Sequence, residues 1–407
     1  MRVLVAPDSF KGSMDAATFC DIAEEVFSAC LPDCEVPSCE VPSCEVPSCE
    51  VPSCEVISLP MADGGEGTAE AMVRGTGGEV RMLSVTGPMG TPVEASYGLL
   101  GDGVTAVVEM AQASGLPLVP PGAHDPLRAT SYGTGELIAE ALGQGAEHVI
   151  LALGGSATND GGMGALQALG FRFLDHAGAP VAPTAEALRQ IKSVVFDDLH
   201  AKLDSARFTI ASDVTNPLLG ERGATAVYGP QKGADEKALR HLEQGLAHFA
   251  DLTDQATGTD HREHPGAGAA GGMGFGFLSY LGATLRSGFE VVAETYGLEQ
   301  RLQQGHWDLL ITGEGQVDVQ SMQGKLVGRL AELGQAHQIP VLVVAGSISG
   351  DLENLYRAGV TSVSSIVEGP MTLEQAMEQA PMLLRRRLTD LCRLWRVGSL
   401  VDHATSC

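Results

Sequence analysis

Ala6-Pro7-Asp8-Ser9-Phe10-Lys11-Gly12-Ser13 sets a carboxylate, a hydroxyl and a cation directly behind an apolar run, with a helix start at Ser13 or Asp15. A helix amino terminus attracts anions, so Lys11 is placed to meet a phosphate or carboxylate, with Asp8 and Ser9 beside it. Met61-Ala62-Asp63-Gly64-Gly65-Glu66-Gly67-Thr68 repeats the theme with two acids. Its glycines let backbone approach a ligand closely, and Asp63 and Glu66 offer hard oxygen ligands for magnesium. Leu153-Gly154-Gly155-Ser156-Ala157-Thr158-Asn159-Asp160-Gly161-Gly162-Met163-Gly164 again joins a strand to a helix. Consecutive backbone N–H groups there would form an anion nest, with Ser156, Thr158, Asn159 and Asp160 adding polar side chains.

Three more loops follow. Ser212-Asp213-Val214-Thr215-Asn216-Pro217 precedes Arg222 and Lys232; the run from Gly266 to Gly274, with Gly271 and Gly272 in it, is almost pure backbone; Thr312-Gly313-Glu314-Gly315-Gln316-Val317-Asp318 leads to Ser321, Gly324 and Lys325. Any one of these reads equally well as a tight turn with a capping side chain. Together they supply what phosphoryl transfer needs: acids for a divalent cation, glycine backbone for phosphates and a few cations to neutralise charge. Other chemistries lack their signatures. No P-loop is present, because Val319 stands where the first glycine before Gly324-Lys325 would fall. No G-x-S-x-G elbow occurs, and no histidine lies inside the six loops. His261 and His264, flanked by Asp260 and Glu263, read as a solvated loop rather than a metal site.

Composition narrows the partners. The 407 residues carry 51 acidic and 25 basic side chains, a formal charge of −26, which argues against sequence-independent binding to nucleic acid or anionic lipid. A small anionic substrate then needs the scarce positive charge gathered locally. No apolar run reaches the eighteen or so residues that span a bilayer, and the apolar start meets Asp8 too soon for a signal peptide. A cytoplasmic, reducing location is expected.

The elements that must position these loops alternate. Strands are expected at Arg2–Ala6, Val56–Pro60, His148–Leu153, Arg207–Ala211, Asp308–Thr312, Val341–Ala345 and Ser362–Val367. Helices are expected at Asp15–Ala29, Gly135–Leu142, Gly164–Leu169, Glu236–Ala256, Lys325–His337 and Thr372–Trp395, the last kinked or split by Pro381. Leu384, Leu388, Leu391, Cys392 and Trp395 recur at helical spacing as a core-facing stripe. Between Glu79 and Glu109, short alternating segments and Gly-Pro turns suggest antiparallel hairpins. The fold class is therefore α/β: a Rossmann-like three-layer domain from residues 1–64 plus 290–395, an inserted second α/β domain at 65–289, and a tail at 396–407. Ligands of such sheets sit beyond the carboxyl ends of the strands, often between domains.

One segment stands apart. Cys34-Glu35-Val36-Pro37-Ser38 recurs from Cys39, Cys44 and Cys49, and partly from Cys54, so five of the nine cysteines belong to one pentad. Proline in each copy prevents a helix or central strand, and an odd period turns successive cysteines to opposite faces of any strand. Without a nearby histidine the spacing is a poor zinc signature. Removal of Cys34–Ser53 leaves an ordinary helix-to-strand connection.

Asp8 to Ser13, Ala62 to Thr68, Gly154 to Gly162, Ser212 to Pro217 and Thr312 to Gln316, in this order, resemble the bacterial type I glycerate kinase family. The resemblance runs from about residue 1 to 395, and the pentad expansion departs from it. It implies ATP-dependent phosphorylation of D-glycerate to 2-phosphoglycerate in glyoxylate or sugar-acid breakdown, a two-domain α/β fold with a cleft between domains, and ATP and Mg2+ as cofactors. Formation of the 3-phosphate, a related hydroxy acid as acceptor, and a non-catalytic hydroxy-acid sensor are the alternatives. No nucleic acid or membrane partner is expected, and the oligomeric state is open, a homodimer included.

Within that reading Lys11 and either Arg222 or Lys232 neutralise the substrate carboxylate or the ATP phosphates. Asp63 and Asp213 lead as the base for the hydroxyl proton or as magnesium ligands, with Glu66, Glu314 and Asp318 as further metal candidates. Asp8, Ser9, Ser156, Thr158, Asn159, Asp160, Asn216, Gly271, Gly272 and Lys325 complete the substrate- and phosphate-binding set. The pentads are expected to be passive, because surface loops tolerate insertion at small entropic cost. Deleting Cys34–Ser53 should leave turnover and the melting temperature unchanged; a large loss of either would show that the repeat does something.

Overall fold

A computed structural model describes residues 1–30, 54–197, 199–318, 321 and 326–405, with side chains to residue 395. The pentads at Cys34–Ser53 and the site candidate Lys325 lie outside the described residues. The strands in chain order are β1 (Arg2–Val5), β2 (Glu55–Ser58), β3 (Glu79–Thr86), β4 (Pro92–Leu99), β5 (Thr105–Glu109), β6 (His148–Ala152), β7 (Arg172–Leu174), β8 (Ser193–Val195), β9 (Arg207–Ala211), β10 (Thr284–Arg286), β11 (Leu309–Val317), β12 (Val341–Ile348) and β13 (Val360–Ser365). The chain divides into two compact units, Met1–Ala62 with Tyr296–Cys407, and Asp63–Thr295. Among the described residues no helix is long and apolar enough to cross a membrane.

The first unit is built on a five-stranded parallel sheet in the order β13-β12-β11-β1-β2. Val3, Leu4 and Val5 are all fully buried, so a continuous apolar run replaces the alternation of a half-exposed strand. Asp15 caps the helix Ala16–Cys30 by accepting the Thr18 N–H at 2.6 Å. That helix packs Phe19, Ile22, Ala23, Val26 and Phe27 onto Val3, Val5 and Ile311. Leu384, Leu388 and Cys392 enter the same core from the helix Ala380–Thr405, with Leu391 and Trp395 packed against it. The expected break in the helix over 372–395 falls at Gln379, giving Leu373–Glu378 and Ala380–Thr405. Pro381 sits in the first turn of the second helix, where a missing N–H costs no intrahelical bond. The second helix runs on to Thr405.

The second unit holds a six-stranded mixed sheet, β10-β9-β6-β5-β4-β3. β3, β4 and β5 are antiparallel, as the Gly-Pro turns predict, and β5, β6, β9 and β10 are parallel. β7 and β8 form a separate antiparallel pair. The helix Glu236–Thr257 is capped by Asp235, which accepts the Ala238 N–H, and buries Leu242, Leu246, Phe249, Ala250 and Thr253 at helical spacing. Phe249 meets Phe173 at a ring separation of 5.6 Å and Phe275 at 6.0 Å within this core. Because four neighbouring strands run the same way, their carboxyl ends reach one edge of the sheet, which fixes where the loops after β5, β6, β9 and β10 emerge.

His148, at the opposite end of β6, is held neutral. Arg207 approaches its Nδ1 at 3.2 Å and can only donate, so Nδ1 must accept and Nε2–H must face Thr209 Oγ1 at 2.9 Å. Burial, then the Arg207 charge, lower its pKa to about 4, against an opposing pull from Asp102 and Glu294. An unfolded histidine takes its proton near pH 6.5, so between about 6.5 and 4 the unfolded chain binds more protons and folding weakens as pH falls. We predict that stability in urea drops by the order of 1 kcal/mol between pH 7 and 5 from this residue, and that His148→Gln flattens that part of the profile. An unchanged slope in the variant would count against the assignment.

Candidate functional site

In the first unit the loops after β1 and β11 lie together. Asp8 N–H donates to the Gly313 carbonyl at 2.8 Å, and the Thr312 hydroxyl donates to the Ala6 carbonyl at 2.8 Å. Asp8 is buried and its Oδ1 accepts the Ser9 N–H at 2.7 Å, folding the loop back before Lys11, which is exposed. The Ser321 hydroxyl donates to Glu314, and Ser321 Oγ accepts the Asp318 N–H at 3.2 Å. Asp8, Ser9, Lys11, Glu314 and Asp318 thus share the carboxyl edge of one sheet.

In the second unit the loop Leu153–Gly162 leaves β6 and enters the helix Met163–Ala168. Thr158, Asn159 and Asp160 are fully buried and Ser156 nearly so, while Gly155 reaches solvent. Asp160 accepts four hydrogen bonds: from Ser131 N–H at 2.9 Å and Oγ at 2.7 Å, Gly162 N–H at 3.1 Å and Gly164 N–H at 3.3 Å. Burial pushes its carboxyl up, and these donors pull it back only in part. It therefore anchors the loop to the start of the helix Tyr132–Gly143 rather than offering a free oxygen. Asn159 Nδ2 donates to Thr225 Oγ1 at 3.1 Å, whereas its Oδ1 and Thr158 Oγ1 are buried without a hydrogen-bond partner.

Lys232 comes from a different segment, the turn Pro230–Lys232, and is buried against this loop. Its Nζ donates to Ser156 Oγ at 2.9 Å and to the Thr158 carbonyl at 2.7 Å. Burial lowers its pKa to about 7, with Asp160 pulling upward. The sequence reading made Lys232 an interchangeable partner of Arg222; the structure separates them. Arg222 is exposed, and its carbonyl accepts from Asn216 Nδ2 at 2.8 Å, while Tyr228 OH donates to Asn216 Oδ1 at 2.8 Å.

The glycine-rich run is the floor of this loop. Ala270, Gly271 and Gly272 take left-handed backbone, with φ of 53°, 66° and 92°. Gly161 N–H donates to the Gly271 carbonyl at 3.0 Å, and a Cβ on Gly271 would stand 2.1 Å from the Thr158 oxygen. Gly64 makes a similar close approach, where a Cβ would lie 2.4 Å from the Ala211 carbonyl at the end of β9. That packing carries Asp63 to Asp213. Asp63 Oδ1 accepts the Gly65 N–H at 3.0 Å, and Asp213 Oδ1 accepts the Gly288 N–H at 3.2 Å. Hemmed in by protein although its tip is exposed, Asp213 is pushed up by desolvation; Ser287 and Gly288 oppose this, and the charges of Asp63 and Glu290 add to it.

Glu109 escaped the sequence reading. It closes β5, is buried, and its Oε1 accepts the Ala69 N–H at 2.7 Å at the start of the helix Thr68–Thr76. Burial pushes its carboxyl up, bonds from Ala69, Gly67 and Gln112 oppose this, and the exposed Glu66 adds to it. The usable signal was a carboxylate ending an otherwise apolar strand. Ser131 gave no such signal. Among the described residues no three His, Cys, Asp or Glu side chains gather as a metal cage. His264 Nδ1 lies 2.8 Å from the Pro265 carbonyl, in the exposed loop expected for it.

A family model described as the glycerate kinase family matches residues 3–396. A glycerate kinase of Bacillus subtilis (strain 168) is 43% identical over 391 residues, covering 96% of this chain and 97% of the relative. The glycerate 2-kinase of Escherichia coli (strain K12) is 40% identical over 380 residues, covering 93% and 94%. The crystal structure of a glycerate kinase 2 from Salmonella typhimurium LT2 superposes with a TM-score of 0.84 at 39% identity, covering 98% of this chain and 99% of that one.

The packing at Gly271 makes a direct prediction. Alanine there meets both a left-handed backbone and the Thr158 carbonyl, so Gly271→Ala should cost about 2–3 kcal/mol in chemical denaturation. A variant as stable as the parent would mean that the two loops are not in contact.

Proposed function

The chain belongs to the glycerate kinase family, and from that membership we propose that it transfers the γ-phosphoryl group of ATP to the 2-hydroxyl of D-glycerate. The observation that carries the reading is the convergence, at one sheet edge, of the Asp63 and Asp213 loops with a glycine-rich loop underpinned by a buried lysine. The name of the Escherichia coli relative supports the 2-phosphate as product. A Rossmann-like first unit with the second unit inserted into its sequence is the arrangement we propose, with ligands bound beyond strand carboxyl ends. A cytoplasmic place in organic-acid breakdown accompanies it.

Phosphoryl transfer leaves the protein little covalent work; positioning and charge stabilisation dominate. Lys11 is exposed on a strand-ending loop, where it can neutralise the glycerate carboxylate or a phosphate. Asp8 shapes that loop by holding Ser9 N–H. Ser156 and the amides of Gly154 and Gly155 face the substrate oxygens, and Asp160, Gly271 and Gly272 keep them in place. Asn216 and Arg222 border the same edge. The charges of Asp63 and Asp213 repel one another, which suits a pair sharing a divalent cation better than two free acids. Magnesium needs only one or two carboxylates when phosphates complete its shell, so the missing three-residue cage does not conflict with it. Asp63 and Asp213 would hold it, with Glu66 as a further oxygen donor, and its charge would offset that developing on the phosphate oxygens.

Purified protein given magnesium, ATP and D-glycerate should release ADP, and phosphorus NMR should identify the 2-phosphate. Asp63→Asn and Lys11→Ala should each lower turnover by about 10²-fold with folding intact. Saturable glycerate binding without ADP would instead make this a sensor, and near-normal turnover in a folded variant would remove that residue from the site.

A further inference from the structure

Resting on the phosphoryl-transfer reading above, we infer that Ser156, backed by Lys232, receives the proton that the acceptor hydroxyl releases. Lys232 would be the positioning residue and final proton acceptor, and Ser156 the group that meets the substrate. The geometry sets the roles. The Thr158 carbonyl, 2.7 Å from Nζ, can only accept, so it fixes one N–H of the amine. Ser156 Oγ, 2.9 Å from Nζ, can accept or donate, so a neutral amine can turn its lone pair to the serine hydroxyl. Ser156 directly follows the exposed Gly155 in the loop, and its Oγ meets the buried amine.

The charge state fits that geometry. The amine titrates near 7, so a large share of molecules holds it neutral at neutral pH, where a base works best. Asp160 is the carboxyl that faces it among the described residues, and its negative charge favours the ammonium formed after transfer. As the acceptor oxygen bonds to the γ-phosphorus, the bond from that phosphorus to the β,γ-bridging oxygen breaks and ADP leaves with the electron pair. The acceptor proton passes to Ser156 Oγ, and the serine's own proton passes to Lys232 Nζ. The ammonium returns its proton to solvent after product release. Asp63 and Asp213 are then free to act on the metal.

The test uses the full-length protein in the ADP assay with magnesium, ATP and D-glycerate. Wild-type kcat should rise with pH through about 7 and level off. Lys232→Met should lower kcat by about 10²-fold and abolish that rise, while the KM for glycerate changes by less than about threefold. Ser156→Ala should also remove the rise, and Lys232→Ala should regain activity with added methylamine. Independently, the side-chain nitrogen resonance missing from Lys232→Met should titrate near 7 in the substrate-free wild-type protein. A folded Lys232→Met with an unchanged pH rise, or a resonance titrating above about 9, overturns the relay. If Lys232→Met does not fold, Ser156→Ala decides, and an unchanged pH rise in it overturns the relay. Absence of glycerate-dependent ADP in wild type would instead sink the kinase reading and the relay with it.

Discussion

One buried amine organises the second unit. Lys232 reaches out of a short turn to join Ser156 Oγ and the Thr158 carbonyl, two positions of a loop that otherwise has glycine at both ends. The Thr158 peptide is also the surface on which Gly271 rests. Burying an amine is costly unless its donors are satisfied, so the loop's shape and the lysine's position constrain each other. Asp160 completes the lock with four hydrogen bonds from the start of one helix and the first turn of another.

Direction of the chain explains why these loops meet. β5, β6, β9 and β10 are parallel, so Glu109, the Gly154–Asp160 loop, Asp213 and Ser287 leave the sheet at the same edge. The glycines between them are a steric requirement: at Gly64 and Gly271 a side chain would occupy the space of a neighbouring carbonyl. The antiparallel strands β3 and β4 extend the sheet away from that edge chemistry. The first unit repeats the principle with β1 and β11, whose ends carry Asp8, Lys11 and Glu314.

The chain carries an acidic excess of 26 charges, yet among the described residues the one deeply buried cation sits on the glycine loop. Local arrangement therefore outweighs net charge in deciding where an anion can be met. Family membership, shared with relatives spanning nearly the whole chain, agrees with this chemistry.

The strands were legible because their residues are apolar without interruption, as at Val3–Val5, and the hairpins because Gly-Pro punctuation separates alternating segments. The loops were legible because glycine beside Asp, Ser or Lys at a strand end is rare enough to notice. The roles within them were not. Lys232 and Arg222 look alike in sequence, and only packing buries one and exposes the other. Glu109 is an ordinary residue until the helix start it holds arrives from 40 positions away, and Ser131 until the Asp160 carboxylate does from 29. Local propensity and patterning are properties of neighbouring residues and so are written in the sequence; desolvation, charge coupling and steric contact depend on distances across the fold, and only the tertiary structure sets those.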